Sequence, residues 1–249
     1  MRRFIQLMLF STLAVNLGAH AADYGREKNW AEQILQTLVV GDPVWLMQKS
    51  GHKFLTLYTE APNAKVAVIV AHGRGWNPDF ELYGTLRTKL ADEGFTTLSI
   101  QLPVLSGGAK VGDYIPEYPD ATERFQIATK WLLAKGYKHI AIVSHSLGST
   151  MTNEYLIADD KTPIGAWVNI SIINGLRAMY WINTPVLDIY GEKDWEVTLG
   201  GASERMKQIA RVKGSKQVMI KGGLHFFEGK ENELVQVIKS FLAEHFAQS

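Results

Sequence analysis

Residues 140–143, Ile-Ala-Ile-Val, run directly into Ser144-His145-Ser146-Leu147-Gly148. A short β-branched apolar run reads as a buried strand. The pentapeptide after it has small residues two before and two after Ser146, as a sharp strand-to-helix turn requires. The pattern is G-x-S-x-G, with Ser144 in the place of the first glycine. A turn of this kind holds its central serine in a strained backbone conformation with the hydroxyl exposed. Little else in the chain is so restrictive, because the turn demands a strand before it and a helix after it.

The surrounding pattern agrees. A helix is expected over residues 27–40, two strands over 44–48 and 53–58 with a turn at Gly51, and a buried strand over 66–71. Phe80, Leu82, Tyr83, Leu86 and Leu90 recur at helical spacing up to Gly94, and a strand over 96–102 ends at Pro103. Residues 106–119, with three glycines and two prolines, read as a long loop and the best candidate for a mobile cover, with Gly107, Gly108 and Gly112 as hinges. Asp120 is expected to cap the next helix, with Glu123 completing a capping box and Gly136 closing it. Strands near 166–171, 186–190 and 217–220 and helices near 199–212 and 232–246 complete the series. Regular strand–helix alternation predicts an α/β fold with a mainly parallel sheet covered on both faces.

The chain of 249 residues is short enough to form one such domain. Met1-Arg2-Arg3, an apolar stretch over 4–17 and Ala19-His20-Ala21 fit a secretory signal peptide. The expected division is therefore a signal at 1–21 and one domain over 22–249, periplasmic or secreted. The apolar stretch is too short for a comfortable membrane span, so no stable membrane insertion is expected after cleavage. Removing residues 1–21 leaves 24 basic against 25 acidic residues, a balance that gives no support to nucleic-acid binding. The chain has no cysteine, which excludes disulfides, thiolate catalysis and cysteine-ligated zinc. Without H-E-x-x-H, a P-loop or G-x-G-x-x-G after a strand, neither a metal nor a cofactor is expected.

A serine hydroxyl needs a base, and the base needs a carboxylate to hold its tautomer. Asp194 follows the strand at 186–190, and His225 follows the glycine-bearing loop after 217–220. Both are thereby placed at the carboxyl edge of the sheet, where sites in open α/β sheets form. Asp188 and Glu192 are competing acids, and an ordinary helix N-cap is the competing role for Ser146. His145 is expected to pack away from the serine hydroxyl and His72 to brace the strand at 66–71. The main-chain N–H groups of Arg74 and Leu147 are candidates for an oxyanion hole. The Arg74 side chain is expected to be solvated and to contribute only its backbone N–H, with binding of an acidic substrate by its guanidinium at the mouth of the site as the competing reading. Trp76, Trp195 and Phe226 are candidates for a substrate pocket.

With Ser146, Asp194 and His225 in that order, and His72-Gly73-Arg74-Gly75 after the strand at 66–71, the sequence resembles the α/β-hydrolase superfamily. It looks most like an exported bacterial branch of it without an agreed substrate. The resemblance implies a mostly parallel sheet of about eight strands, a Ser-His-Asp triad and an acyl-enzyme intermediate. It implies no one substrate; the function expected is that of an exported serine hydrolase acting on small-molecule carboxylic esters or thioesters. Only about a dozen residues (172–184) are available where many members insert a lid, so no large lid is expected. The competing function is a non-catalytic envelope binding or assembly protein on the same scaffold.

Overall fold

The structure is a computed structural model that describes residues 22–159, 161–173 and 175–247. The expected signal at 1–21 lies outside the described residues. Eight strands form a single sheet in the order β1-β2-β4-β3-β5-β6-β7-β8. They are β1 Asp42–Met47, β2 Lys53–Thr59, β3 Val66–Ala71, β4 Thr96–Ile100, β5 His139–His145, β6 Ile164–Ile170, β7 Val186–Gly191 and β8 Lys216–Ile220. The β1–β2 and β2–β4 pairs are antiparallel, and every pair from β4 through β8 is parallel. Gly51, at φ 87°, turns the β1–β2 hairpin as its position suggested.

The central strands are buried nearly throughout and rich in apolar residues because helices cover both faces. Period-two alternation divides each between two cores. Ile69, Ile142 and Trp167 face Phe125 and Tyr155, which belong to α3 Tyr118–Ala134 and α4 Leu147–Ala158. Val68, Val143 and Val168 face Leu86 and Ile238, which belong to α2 Glu81–Asp92 and α6 Glu231–Phe246. Helix α1, Tyr24–Thr37, places Ala31 and Ile34 on Leu55 and Leu57 of β2, and α5, Glu196–Ile209, follows β7. Strands β4 and β5 lie on opposite sides of β3. The strand order reverses direction beside β3, and ligands in open α/β sheets usually bind at the carboxyl end of such a switch point.

Two local expectations are corrected. The segment 106–119 is not all loop, because a 3-10 helix spans Val111–Glu117 and leads directly into α3. Asp120 does not cap α3, whose N-cap is Glu117. Pro119 sits in the first turn, where a missing N–H costs nothing. The two carboxylates expected to form a capping box instead hold the β1–β2 hairpin. Asp120 and Glu123 both accept from the Gln48 amide, and Glu123 also accepts from Lys49 N–H. Helix α1 starts three residues earlier than its apolar pattern suggests, because Asp23 caps it by accepting from Arg26 N–H at 2.9 Å.

Candidate active site

Ser146 lies at the end of β5 and the start of α4, with φ 55° and ψ −122°. A capping serine would be extended and would direct its oxygen to a helix N–H, but Ser146 makes no such bond. Its N–H donates to Ile170 O at 2.8 Å, tying the turn to β6. The two small flanking positions are small for different reasons. A Cβ on Gly148 would come within 2.2 Å of His72 O, so only glycine lets α4 press this closely on the loop after β3. Ser144 has room for its side chain, and its Oγ accepts from the Trp167 indole N–H at 2.8 Å.

Ser146, His225 and Asp194 are joined in one hydrogen-bonded line. Ser146 Oγ lies 3.1 Å from His225 Nε2, and His225 Nδ1 lies 2.6 Å from Asp194 Oδ1. The loops bearing the acid and the histidine are pressed together. A Cβ on Gly191 would meet Gly223 O at 2.2 Å, and Lys193 N–H donates to the same carbonyl at 2.8 Å. The competing acids are engaged elsewhere. Asp188 is fully buried against Arg205 at 3.0 Å, and Glu192 accepts from Gly222 N–H at 2.9 Å.

Burial acts to raise the Asp194 carboxyl, but hydrogen bonds from His225, Ser171 and Trp195 N–H outweigh it and hold it below the ordinary aspartate range. Ser171 has no signal in the sequence. It stands just past β6 with φ 49° and directs its hydroxyl to Asp194 Oδ2. Trp195 stacks flat on the His225 ring, with centroids 3.5 Å apart and planes 9° apart.

Two further histidines, His145 and His72, link the loops around Ser146. His145 points away from the Ser146 hydroxyl. Its Nε2–H donates to His225 O at 2.9 Å, and its Nδ1 accepts from the Tyr83 hydroxyl at 2.9 Å. The Tyr83 oxygen in turn accepts from Gly73 N–H at 2.8 Å. Burial lowers His145 to about 3, so it stays neutral. His72 donates from Nδ1 to Gly73 O at 2.8 Å and accepts from Leu102 N–H at 2.9 Å, bracing the loop after β3 against the end of β4. Burial lowers it to about 4.

Gly73 lies against the serine, since a Cβ there would be 3.3 Å from Ser146 Cβ. This brings the Arg74 N–H, one residue on, to the same place. Leu147 is the first residue of α4, and its N–H belongs to the first turn, where donors have no intrahelical partner. A cavity of about 440 Å³ opens beside these groups, and Trp76, Trp195 and Phe226 all line it. Ser106, Gly107, Ala109 and Val111 line it as well. Between β6 and β7 the described residues hold one short 3-10 turn, Met179–Trp181, and no inserted domain.

No protein-family model and no curated protein matches the sequence. Solved structures do match. A lidless serine hydrolase from Xanthomonas campestris is 16% identical, with a TM-score of 0.66 over 83% of this chain and 95% of that one. An esterase from Pyrococcus furiosus is 16% identical, with a TM-score of 0.68 over 85% and 93%. A dienelactone hydrolase from Anabaena variabilis is 19% identical, with a TM-score of 0.63 over 82% and 97%. The likeness covers more than four-fifths of the chain in each case, and the protein has the α/β-hydrolase fold.

Proposed function

We propose that the protein is an exported serine hydrolase that cleaves small carboxylic esters or thioesters through an acyl-enzyme. The observation that carries the reading is the line from Ser146 Oγ through His225 to Asp194, built on a serine whose positive φ frees its hydroxyl from capping. In the reaction, Ser146 Oγ attacks the carbonyl carbon while His225 Nε2 takes its proton. Asp194 keeps the other proton on Nδ1 and stabilises the imidazolium. The N–H groups of Arg74 and Leu147 receive the oxyanion, and the N-terminal end of α4 adds its dipole. The protonated His225 then delivers its proton to the leaving oxygen or sulfur, and water, activated by the same nitrogen, releases the acid. The fold neighbours named as a serine hydrolase, an esterase and a dienelactone hydrolase agree with this chemistry. The open cavity and the absence of an inserted domain among the described residues favour small soluble substrates over interfacial lipolysis. Export rests on the residues of the 1–21 segment alone.

A fluorophosphonate probe tests the reading without a guess at the substrate. It is expected to label Ser146, located by peptide mass spectrometry, and the adduct is expected to vanish in His225→Ala. Ser146→Ala should lower kcat on the order of 10⁴ to 10⁶-fold, and Asp194→Asn somewhat less. Retention of more than about a tenth of activity in Ser146→Ala would overturn the mechanism. Export predicts a mature N-terminus at Ala22 in protein recovered from the periplasm or medium.

A further inference from the structure

The cavity beside Ser146 has an electrical asymmetry that the ester chemistry does not require. Arg26 reaches it from α1, with its guanidinium 4.4 Å above the Trp30 ring. Its Nη1 donates to Leu105 O at 2.7 Å and its Nη2 to Gly75 O at 3.0 Å. Arg74 is exposed, as its sequence context suggested. Its Nη1 donates to Ala109 O at 3.1 Å across the cavity rim. Main-chain carbonyls satisfy hydrogen atoms but neutralise no charge, so both positive charges remain.

Tyr114 is 1% exposed, and its oxygen accepts from Leu105 N–H at 3.1 Å, which leaves the phenolic hydrogen to donate. Arg26 and Tyr114 converge on one point. A Cβ on Gly75 would lie 3.7 Å from Arg26 Nη2 and 4.0 Å from the Tyr114 hydroxyl. Burial and, more weakly, Glu117 raise the Tyr114 phenol, while the Leu105 N–H and the charges of Arg26 and Arg74 oppose the rise, so the phenol feels both guanidiniums. Among the described residues that line this cavity there is no aspartate or glutamate. Two cations and an O–H donor line one cleft, while the acid that opposes them at the phenol, Glu117, is buried outside the lining, so positive potential is focused where a substrate must sit.

We propose that this corner binds a carboxylate on the substrate, so that the preferred ester or thioester is anionic. The assignment rests on the serine-hydrolase reading and names the substrate class within it. A carboxylate matches the planar guanidinium fork and can accept the phenolic hydrogen as well. The walls formed by Trp76 and Phe226 take the apolar part of the same molecule.

The test uses two matched pairs of substrates. One pair, 4-nitrophenyl hydrogen glutarate and 4-nitrophenyl glutaramate, places the charge or its neutral amide on the acyl side. The other, 3-carboxyphenyl butyrate and 3-carbamoylphenyl butyrate, places it on the alcohol side. The carboxylate member of at least one pair is expected to show about tenfold or higher kcat/KM, the effect of one charge-assisted hydrogen bond. The advantage should shrink in high salt. Arg74→Gln should remove about tenfold of the charged-to-neutral ratio, Arg74→Glu should invert it, and Arg26→Gln should lower it. Reading a ratio within each variant cancels any general loss of activity. A ratio near one in both pairs, or a ratio that neither arginine changes, overturns the proposal while fluorophosphonate labelling of Ser146 stands. Absence of that labelling in the unmodified protein overturns the hydrolase reading and this assignment with it.

Discussion

Asp194 is buried, yet its carboxyl is held below the ordinary range, and three donors account for this. His225 and Trp195 N–H share Oδ1, while Ser171 holds Oδ2. Ser171 touches no reacting atom, so its place is to orient the acid. Ser171→Ala should lower kcat about tenfold with KM little changed, in line with loss of one hydrogen bond to a charged group. The fluorophosphonate labelling rate should fall by the same factor. Alanine and serine tolerate φ 49° alike, so the comparison isolates the hydroxyl. An unchanged labelling rate would show that His225 and the N–H groups of Trp195 and Gly191 hold the acid without Ser171. Ser146, Asp194 and His225 were legible because each follows a recognisable strand in an order that carries meaning. Ser171 was not, since it stands 23 residues from Asp194 and marks no motif. Tyr83, 62 residues from His145, and Arg26, 79 residues from Leu105, join the site by the same kind of distant contact.

At the scale of elements, α1, the β1–β2 hairpin and α3 meet at one fully buried cation. Arg124 Nη1 lies 3.1 and 3.0 Å from the two Glu27 oxygens, Nη2 lies 3.0 Å from Asp120, and Nε donates to Gln48 at 3.1 Å. Glu27 also meets His52 of the hairpin turn at 3.0 Å. Burying these charges gains little stability by itself, but removing one partner leaves the others uncompensated. Arg124→Ala should cost about 3–5 kcal/mol in urea unfolding, and Arg124→Met, which restores volume but not charge, should recover little of it. Recovery to wild-type stability in the methionine variant would mean that packing, not pairing, is what Arg124 supplies. The network also explains an error at sequence level. Asp120 and Glu123 have the spacing of a capping box, but local spacing does not register that Gln48 and Lys49 lie within reach. The strand bounds read better than the helix ends because a strand's apolar run stops where its burial stops. A helix end depends on its cap: at α1 the apolar pattern marks none and Asp23 supplies it, and at α3 Glu117 holds the N-cap position expected for Asp120.

For the molecule as a whole, the histidines that brace the site also set its response to acid. His72 and His145 are buried and neutral, lowered by burial to about 4 and about 3. In the unfolded chain each takes up a proton as pH falls through its ordinary value of about 6.5, while the native form does not. The unfolded state then binds more protons, so stability falls with pH across that window. Between pH 6.5 and 5 each histidine should cost about 2 kcal/mol. Glu117 and Asp188 act in the opposite sense. Burial raises both carboxyls, so their native forms take up protons before the unfolded chain does, and falling pH offsets part of the loss. The two contributions separate in a variant. Urea unfolding at pH 7, 6 and 5 should show a decline for the wild type and a shallower one for His72→Asn, by one proton's worth of slope, whatever the acids contribute. An identical slope would mean that His72 is protonated in the native state, and its bond to Leu102 N–H would then have to break as pH falls. The acid response is therefore coupled to the site, because the ring that resists protonation is the one that ties the loop after β3, with Gly73 and Arg74, to the end of β4.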